Sequence, residues 1–222
     1  MSDPRWVAND RYASGLLVRP SPALDAALAD ADAAGLPPIA VSAPQGKFLK
    51  LLAQSIGARR ILEVGTLAGY SAIWLAQALP PDGQLITLEV DARHAQVARA
   101  NIARAGVSGR VAVREGAAID TLSAMVRAGE GPFDFIFIDA DKPSYPHYLP
   151  LAVSLARPGT LIMADNIVRK GAVIEPDHSD PRVHGVRAFN ELVAQHPRLD
   201  ATLVQTVGAK GYDGFTLARV VS

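Results

Sequence analysis

Ile61-Leu62-Glu63-Val64-Gly65-Thr66-Leu67-Ala68-Gly69-Tyr70-Ser71 is a short apolar run that stops at a glycine and resumes in helix-compatible residues after a second glycine. Such a stretch reads as a buried strand, a tight turn and the start of a helix. Glycine at 65 and 69 suits a turn whose backbone must come close to a ligand. The pattern is not G-x-G-x-x-G. That dinucleotide fingerprint needs a second glycine two positions after the first, where a pyrophosphate lies against the backbone, and this chain has Leu67. Glu89 lies 24 positions beyond Gly65, near the offset of roughly 20 at which an acid reaches ribose hydroxyls. Turn, acid and missing glycine together imply a nucleoside held without a pyrophosphate.

Working outward, short β-branched runs alternate with longer helical patterns, the signature of βαβ units and a mostly parallel sheet. Strands are expected at Arg60 to Val64, Gln84 to Glu89, Arg110 to Arg114, Phe133 to Asp139 and Thr160 to Asp165. Helices are expected at Tyr70 to Leu79, Ala92 to Ala105, Ala117 to Ala128 and Tyr145 to Ala156, punctuated by Pro80-Pro81-Asp82-Gly83, Gly106, Gly129 and Pro158-Gly159. After a helix at Val183 to Gln195 come two strand-like runs, Ala201 to Val207 and Gly214 to Val221. Their Gly208 to Asp213 link is too short for a parallel crossover, so they should form an antiparallel hairpin. Residues 1–58 are alanine-rich, broken by Pro20, Pro22, Pro37, Pro38 and Pro44, and read as a helical N-terminal cap on a single domain spanning 1–222.

Of the 222 residues, 49% are hydrophobic and 20% charged, which excludes disorder and coiled coil. Lysine plus arginine and aspartate plus glutamate number 22 each, so no long-range field draws in nucleic acid. The absence of cysteine removes disulfides, zinc–thiolate sites and thiol catalysis. The opening Met1-Ser2-Asp3-Pro4-Arg5-Trp6 lacks a basic start followed by an apolar run, and no stretch reaches the roughly 18 apolar residues of a membrane helix. The expected location is the cytoplasm, with no membrane partner.

Acidic residues close five apolar strands in turn: Glu63, Glu89 with Asp91, Glu115, Asp139 with Asp141, and Asp165. Any one of them could simply cap the following helix. Five in succession are expected to line one cleft at the carboxyl edge, where open α/β sheets bind ligands. Asp139, Asp165 and Asn166 offer oxygen ligands only, a set suited to a hard cation: Mg²⁺ first, or Ca²⁺ or Mn²⁺. Asp-Asn also occurs as an ordinary cap or turn. Lys142, three positions beyond Asp139, could serve as a general base there or be a solvated charge. Tyr145 and Tyr148, at i and i+3 of the next helix, are packing residues or substrate contacts. His147, His178 and His184 read as solvated; His94 and His196 carry no assignment.

The ordered set Ser42-Ala43-Pro44-Gln45-Gly46-Lys47-Phe48-Leu49, Leu62 to Ser71, Thr87-Leu88-Glu89-Val90-Asp91, Phe137-Ile138-Asp139-Ala140-Asp141-Lys142, Ala164-Asp165-Asn166 and Gly185-Val186-Arg187-Ala188-Phe189-Asn190 resembles the cation-dependent class I O-methyltransferases that use S-adenosylmethionine, the group of catechol and caffeoyl-CoA O-methyltransferases. The resemblance runs from about Ser42 to the C-terminus. It implies a Rossmann-like, seven-stranded, mostly parallel sheet with the last strands reversed and helices on both faces, and a homodimer. It also implies that Val41, Glu63, Gly65, Thr66, Ser71 and Asp139 contact the cofactor, that Glu89 holds its ribose, and that Ala117 and Ala118 lie along adenine. Asp139, Asp165 and Asn166 match the family's metal ligands, and Lys142 matches its base. Asp139 and Lys142 are thus the catalytic candidates, and Lys142, Tyr145 and Tyr148 the substrate candidates. Two departures stand out: Pro143-Ser144 where many relatives carry asparagine before the tyrosine, which bears on contacts to the acceptor, and Gly208-Ala209-Lys210-Gly211-Tyr212-Asp213-Gly214 in place of a compact Gly-Asp-Gly, which bears on the cleft rim or a dimer contact.

The expected activity is Mg²⁺-dependent methyl transfer to a hydroxyl of a small catechol-like phenol. One alternative keeps fold and cofactor but methylates 5-hydroxyuridine in transfer RNA, using a patch of Arg169, Lys170, Arg182 and Arg187. A nucleotide-binding dehydrogenase is disfavoured by Leu67 and by a metal-type triad that hydride transfer does not need. The non-enzymatic alternative is an S-adenosylmethionine-binding scaffold, against which retention of all three metal-type residues counts.

Overall fold

The structure, a computed structural model, describes residues 3–222; Met1 and Ser2, which begin the opening read for a secretory signal, lie outside the described residues. The elements in order are α1 (Pro4–Leu17), α2 (Pro22–Ala33), α3 (Ala43–Ser55), β1 (Arg60–Val64), α4 (Tyr70–Ala76), β2 (Gln84–Glu89), α5 (Ala92–Arg104), β3 (Val111–Glu115), α6 (Ala118–Arg127), β4 (Phe133–Ile138), α7 (Tyr145–Ser154), β5 (Ala156–Asp165), α8 (Pro181–Gln195), β6 (Leu199–Gly208) and β7 (Gly211–Val220). All seven strands belong to one sheet, parallel except for the C-terminal pair, which is the fold class expected. Among the described residues no helix is long and apolar enough to cross a membrane. The chain forms two compact units, Asn9–Ala118 and residues 3–8 with Ile119–Ser222.

In the unit Asn9–Ala118, β2 lies between β1 and β3 in parallel register, with Leu62 opposite Ile86 and Ile86 opposite Ala112. Parallel strands are covered on both faces, and β1 and β2 are accordingly buried along nearly their whole length. Helix α5 starts where the Asp91 carboxylate accepts the amides of Arg93 and His94, and it buries Ala95, Ala98 and Ile102 on one face. Helix α4 is shorter than the expected Tyr70 to Leu79 and is buried at every position but Ser71. The helical reading of residues 1–58 becomes three helices, α1 to α3. Helix α3 opens at Ser42, whose hydroxyl accepts the Gln45 amide, and Gly46 lets the Trp74 indole lie against its backbone: a Cβ there would come within 2.3 Å of the ring.

In the other unit, β4 and β5 are parallel, with Phe137 opposite Met163, and β7 runs antiparallel between β5 and β6. The expected hairpin is tighter than its predicted link, because Gly208 pairs with Gly211 and only Ala209 and Lys210 remain to turn. Strand β5 starts earlier than expected. Its pairing with β4 jumps from Ala156 to Leu161 while β4 advances from Phe133 to Phe135, so Pro158-Gly159 sit in an irregularity inside the strand rather than at a helix end.

Candidate active site

The first turn sits in the unit Asn9–Ala118 and is made of left-handed residues: Gly65 (φ 100°), Leu67 (φ 49°) and Gly69 (φ 82°). Leu67 thus keeps the backbone conformation that usually calls for glycine, at a cost of about 1 kcal/mol. Glu89 stabilises it. One carboxylate oxygen accepts the amides of Thr66 (3.2 Å) and Leu67 (2.7 Å), and the other accepts the Asp91 amide (3.0 Å). His94, which the sequence left without an assignment, brings Nδ1 to 3.6 Å from that second oxygen. From the other side of the turn, the buried Asn101 amide donates to the Ala68 carbonyl (3.0 Å).

Glu63 is completely buried, and Thr87 Oγ1 donates to its Oε2 at 2.6 Å. Since Thr87 has one proton and spends it there, the close Thr66 hydroxyl must be the donor in the Thr66–Thr87 pair. A relay therefore runs from Thr66 through Thr87 to Glu63. Of the other cofactor candidates, Val41 is buried just ahead of α3, Gly65 and Ser71 are half-buried, Ala117 is exposed and Ala118 begins α6.

The remaining candidates lie in the unit that contains Ile119–Ser222. Ile138 and Ala164 are register partners, so Asp139 and Asp165, one position further along each strand, stand at adjacent carboxyl ends. Asn166 follows in the left-handed region (φ 56°), with its amide donating to Asp165 Oδ1 at 2.8 Å. Lys142 is buried, not solvated, and its Nζ donates to Asp139 Oδ1 and to the Tyr145 hydroxyl, both at 2.7 Å. Helix α8 fixes the backbone behind it: a Cβ on Gly185 would come within 2.1 Å of the Lys142 carbonyl oxygen.

Tyr145 is fully buried, and its hydroxyl lies 3.0 Å from the carbonyl oxygens of both Ile138 and Asp165. Burial raises its pKa well above the usual tyrosine value, and the Asp139 and Asp165 carboxylates add to the rise. Tyr148 is buried too, its hydroxyl donates to Asp141, and burial first and that bond second push its pKa up. His147 and His184 are exposed, as read from the sequence, whereas His178 is half-buried and its Nδ1 accepts the Asp180 amide.

A family model described as O-methyltransferase matches residues 23–221. The chain is 54% identical over 220 residues to a catechol O-methyltransferase of Niastella koreensis, covering 99% of this chain and all of that protein. It is 52% identical over 212 residues to a catechol O-methyltransferase of Mycobacterium tuberculosis, covering 95% and 94%. A crystal structure of a Streptomyces achromogenes O-methyltransferase involved in tomaymycin synthesis, in complex with S-adenosylmethionine, superposes with a TM-score of 0.96 at 50% identity over the whole of both chains. The chain belongs to the O-methyltransferase family.

This O-methyltransferase is S-adenosylmethionine-dependent, and its buried acids, Glu63 and Glu89 at the ends of β1 and β2, suit a ligand that combines a cationic methionine portion with a ribose diol. The donor set Asp139, Asp165 and Asn166 likewise fits a hard cation, with two charged oxygens and one amide at neighbouring positions. Among the described residues no group of three His, Cys, Asp or Glu could by itself hold a metal. Sequence reading missed Thr87, Asn101 and His94 as supports of the first turn. Thr87 was detectable as a hydroxyl inside the apolar run Leu85-Ile86-Thr87-Leu88; Asn101 and His94 carried no signal, because their partners are distant backbone and a side chain on another element.

Proposed function

We propose that this O-methyltransferase moves the methyl group of S-adenosylmethionine to one hydroxyl of a catechol-like phenol with the help of Mg²⁺ at Asp139, Asp165 and Asn166. The observation that carries it is the buried Lys142 amine on Asp139, at a strand end that lies beside the one carrying Asp165. The catechol O-methyltransferases at 54% and 52% identity support the acceptor class. A cation held by Asp139, Asp165 and Asn166 would supply Lewis acidity that lowers the pKa of an acceptor hydroxyl and so favours a nucleophile at neutral pH. Lys142 takes the hydroxyl proton. The acceptor oxygen then forms a bond to the methyl carbon as the carbon–sulfur bond breaks, leaving S-adenosylhomocysteine and the methyl ether. Glu89 holds the ribose hydroxyls, and Glu63 lies toward the methionine portion.

The basic residues weighed for transfer RNA are largely spent inside the chain: Arg182 pairs with Asp180, Arg187 donates to the Val173 carbonyl, and Arg169 stands 3.9 Å from Asp213. The deciding experiment presents catechols, caffeoyl esters and hydroxylated transfer RNA with S-adenosylmethionine, each with Mg²⁺ and with a chelator, and reads the products by mass spectrometry. Chelator-sensitive methylation of a catechol is the expected result. Methylation of the RNA alone would replace the acceptor, and chelator-insensitive turnover would remove the metal.

A further inference from the structure

We infer that Tyr145 is a positioning residue that aims the amine of Lys142, and not a contact for the acceptor. The inference rests on Lys142 as proton acceptor. Tyr145 has no exposed surface, so an acceptor reaches its hydroxyl only by displacing the protein around it. What surrounds that hydroxyl is informative: two backbone carbonyl oxygens, Ile138 and Asp165, each at 3.0 Å, and the Lys142 Nζ at 2.7 Å. Carbonyl oxygens only accept. The single phenolic proton is therefore committed to them, and the oxygen can only accept from Lys142.

The second anchor of the amine is Asp139 Oδ1, also an acceptor, at 2.7 Å. With two of its N–H bonds directed at fixed acceptors, a tetrahedral nitrogen has one direction left. That remaining direction is the one along which the amine exchanges a proton, and rotation about the terminal C–N bond would otherwise leave it free among three staggered positions. Tyr145 is itself held in place, with its ring packed edge-on against Phe189 at 5.5 Å and tilted against Tyr148 at 6.2 Å, and with its hydroxyl spanning the ends of β4 and β5. One tyrosine thereby ties the orientation of the amine to the two strands that carry Asp139 and Asp165.

Tyr145→Phe keeps the ring and removes the oxygen. The test is a double-mutant cycle of the wild type, Tyr145→Phe, Lys142→Met and the double variant, assayed with catechol, S-adenosylmethionine and Mg²⁺, with cofactor affinity measured by calorimetry. Tyr145→Phe should lower kcat by about tenfold to a hundredfold, the scale of losing one orienting contact, with unchanged affinity for S-adenosylmethionine. In the Lys142→Met background the same substitution should do nothing further, because a residue that acts through Lys142 has nothing left to act on. An equal loss in both backgrounds, or no loss in the wild type, would overturn the inference. If Lys142→Met itself keeps full kcat, the proton-acceptor reading falls, and the inference with it. A readout free of turnover is competitive acylation of lysines in the protein without metal: Tyr145→Phe should label Lys142 severalfold faster, and an unchanged rate counts against the anchoring.

Discussion

At Glu89 one carboxylate meets the amides of Thr66, Leu67 and Asp91 as well as the edge of His94. A ligand hydroxyl that approaches it joins an acid already held in place, so little side-chain freedom is lost on binding. Glu89→Gln puts an N–H where acceptors are needed. Loss of charge-assisted hydrogen bonds of about 1.5–3 kcal/mol corresponds to roughly 10- to 150-fold weaker binding of S-adenosylmethionine, which calorimetry would read. Asp165→Ala acts on the other candidate set: cofactor affinity should stay nearly intact while Mg²⁺-dependent turnover is abolished, and unchanged turnover would remove Asp165 from a metal site. The tyrosines give a pH prediction. In Tyr145 and Tyr148 the folded pKa lies above the unfolded value of about 10. Their contribution to stability is complete below about pH 10 and declines as pH rises toward the folded values, since only the unfolded chain releases those protons. Absorbance at 295 nm should show fewer than the chain's five tyrosines ionised in the native protein at about pH 11, with the rest appearing on unfolding. Side-chain chemistry at strand ends was legible in the sequence because it needs only residue type and order. The burial of Lys142 and the hydroxyl contacts of Tyr145 were not, because they depend on where the strand ends and α8 meet.

Elements explain why Lys142 sits so tightly. Helix α8 approaches the backbone at Lys142 and Pro143 through Gly185, a residue that carries no functional group. Gly185→Ala would set a methyl against a carbonyl oxygen and the Pro143 Cα, with backbone on both sides and no flexible side chain to yield. Overpacking of this kind costs about 1–3 kcal/mol, a fall of roughly 2–10 °C in Tm for a chain of this length, and kcat should drop with it as the amine shifts. Unaltered melting and turnover would mean that α8 slides freely over Lys142. The elements themselves were largely readable: β1 and β2 coincide with the expected ranges because their apolar runs stop at Gly65 and Val90-Asp91. Errors fell where two signals competed. Pro158-Gly159 has the look of a helix end, yet here it is accommodated inside β5 by a shift in pairing, which no local pattern announces.

For the molecule as a whole, equal numbers of basic and acidic residues leave no net charge near pH 7 to keep copies apart. Strand β6 adds an outer edge that is exposed nearly throughout, with Leu203, Val204 and Val207 turned to solvent and neither lysine nor proline to blunt it. Association that grows with concentration is expected at neutral pH, and Val207→Lys should reduce it in light scattering; scattering that ignores the substitution would place the contact elsewhere.

Strand β7 lies between β5 and β6 although it follows both in sequence, and its partners on β5 are 50 to 58 positions away. Before Gly211 to Val220 are made, β5 has a bare flank and β6 has no strand to pair with. A chain that lacks this segment therefore displays open strand edges on β5 and β6 at once, so the hazard of misassembly persists until residues 211–220 have been made, well after Asp139, Lys142 and Asp165 have been synthesised.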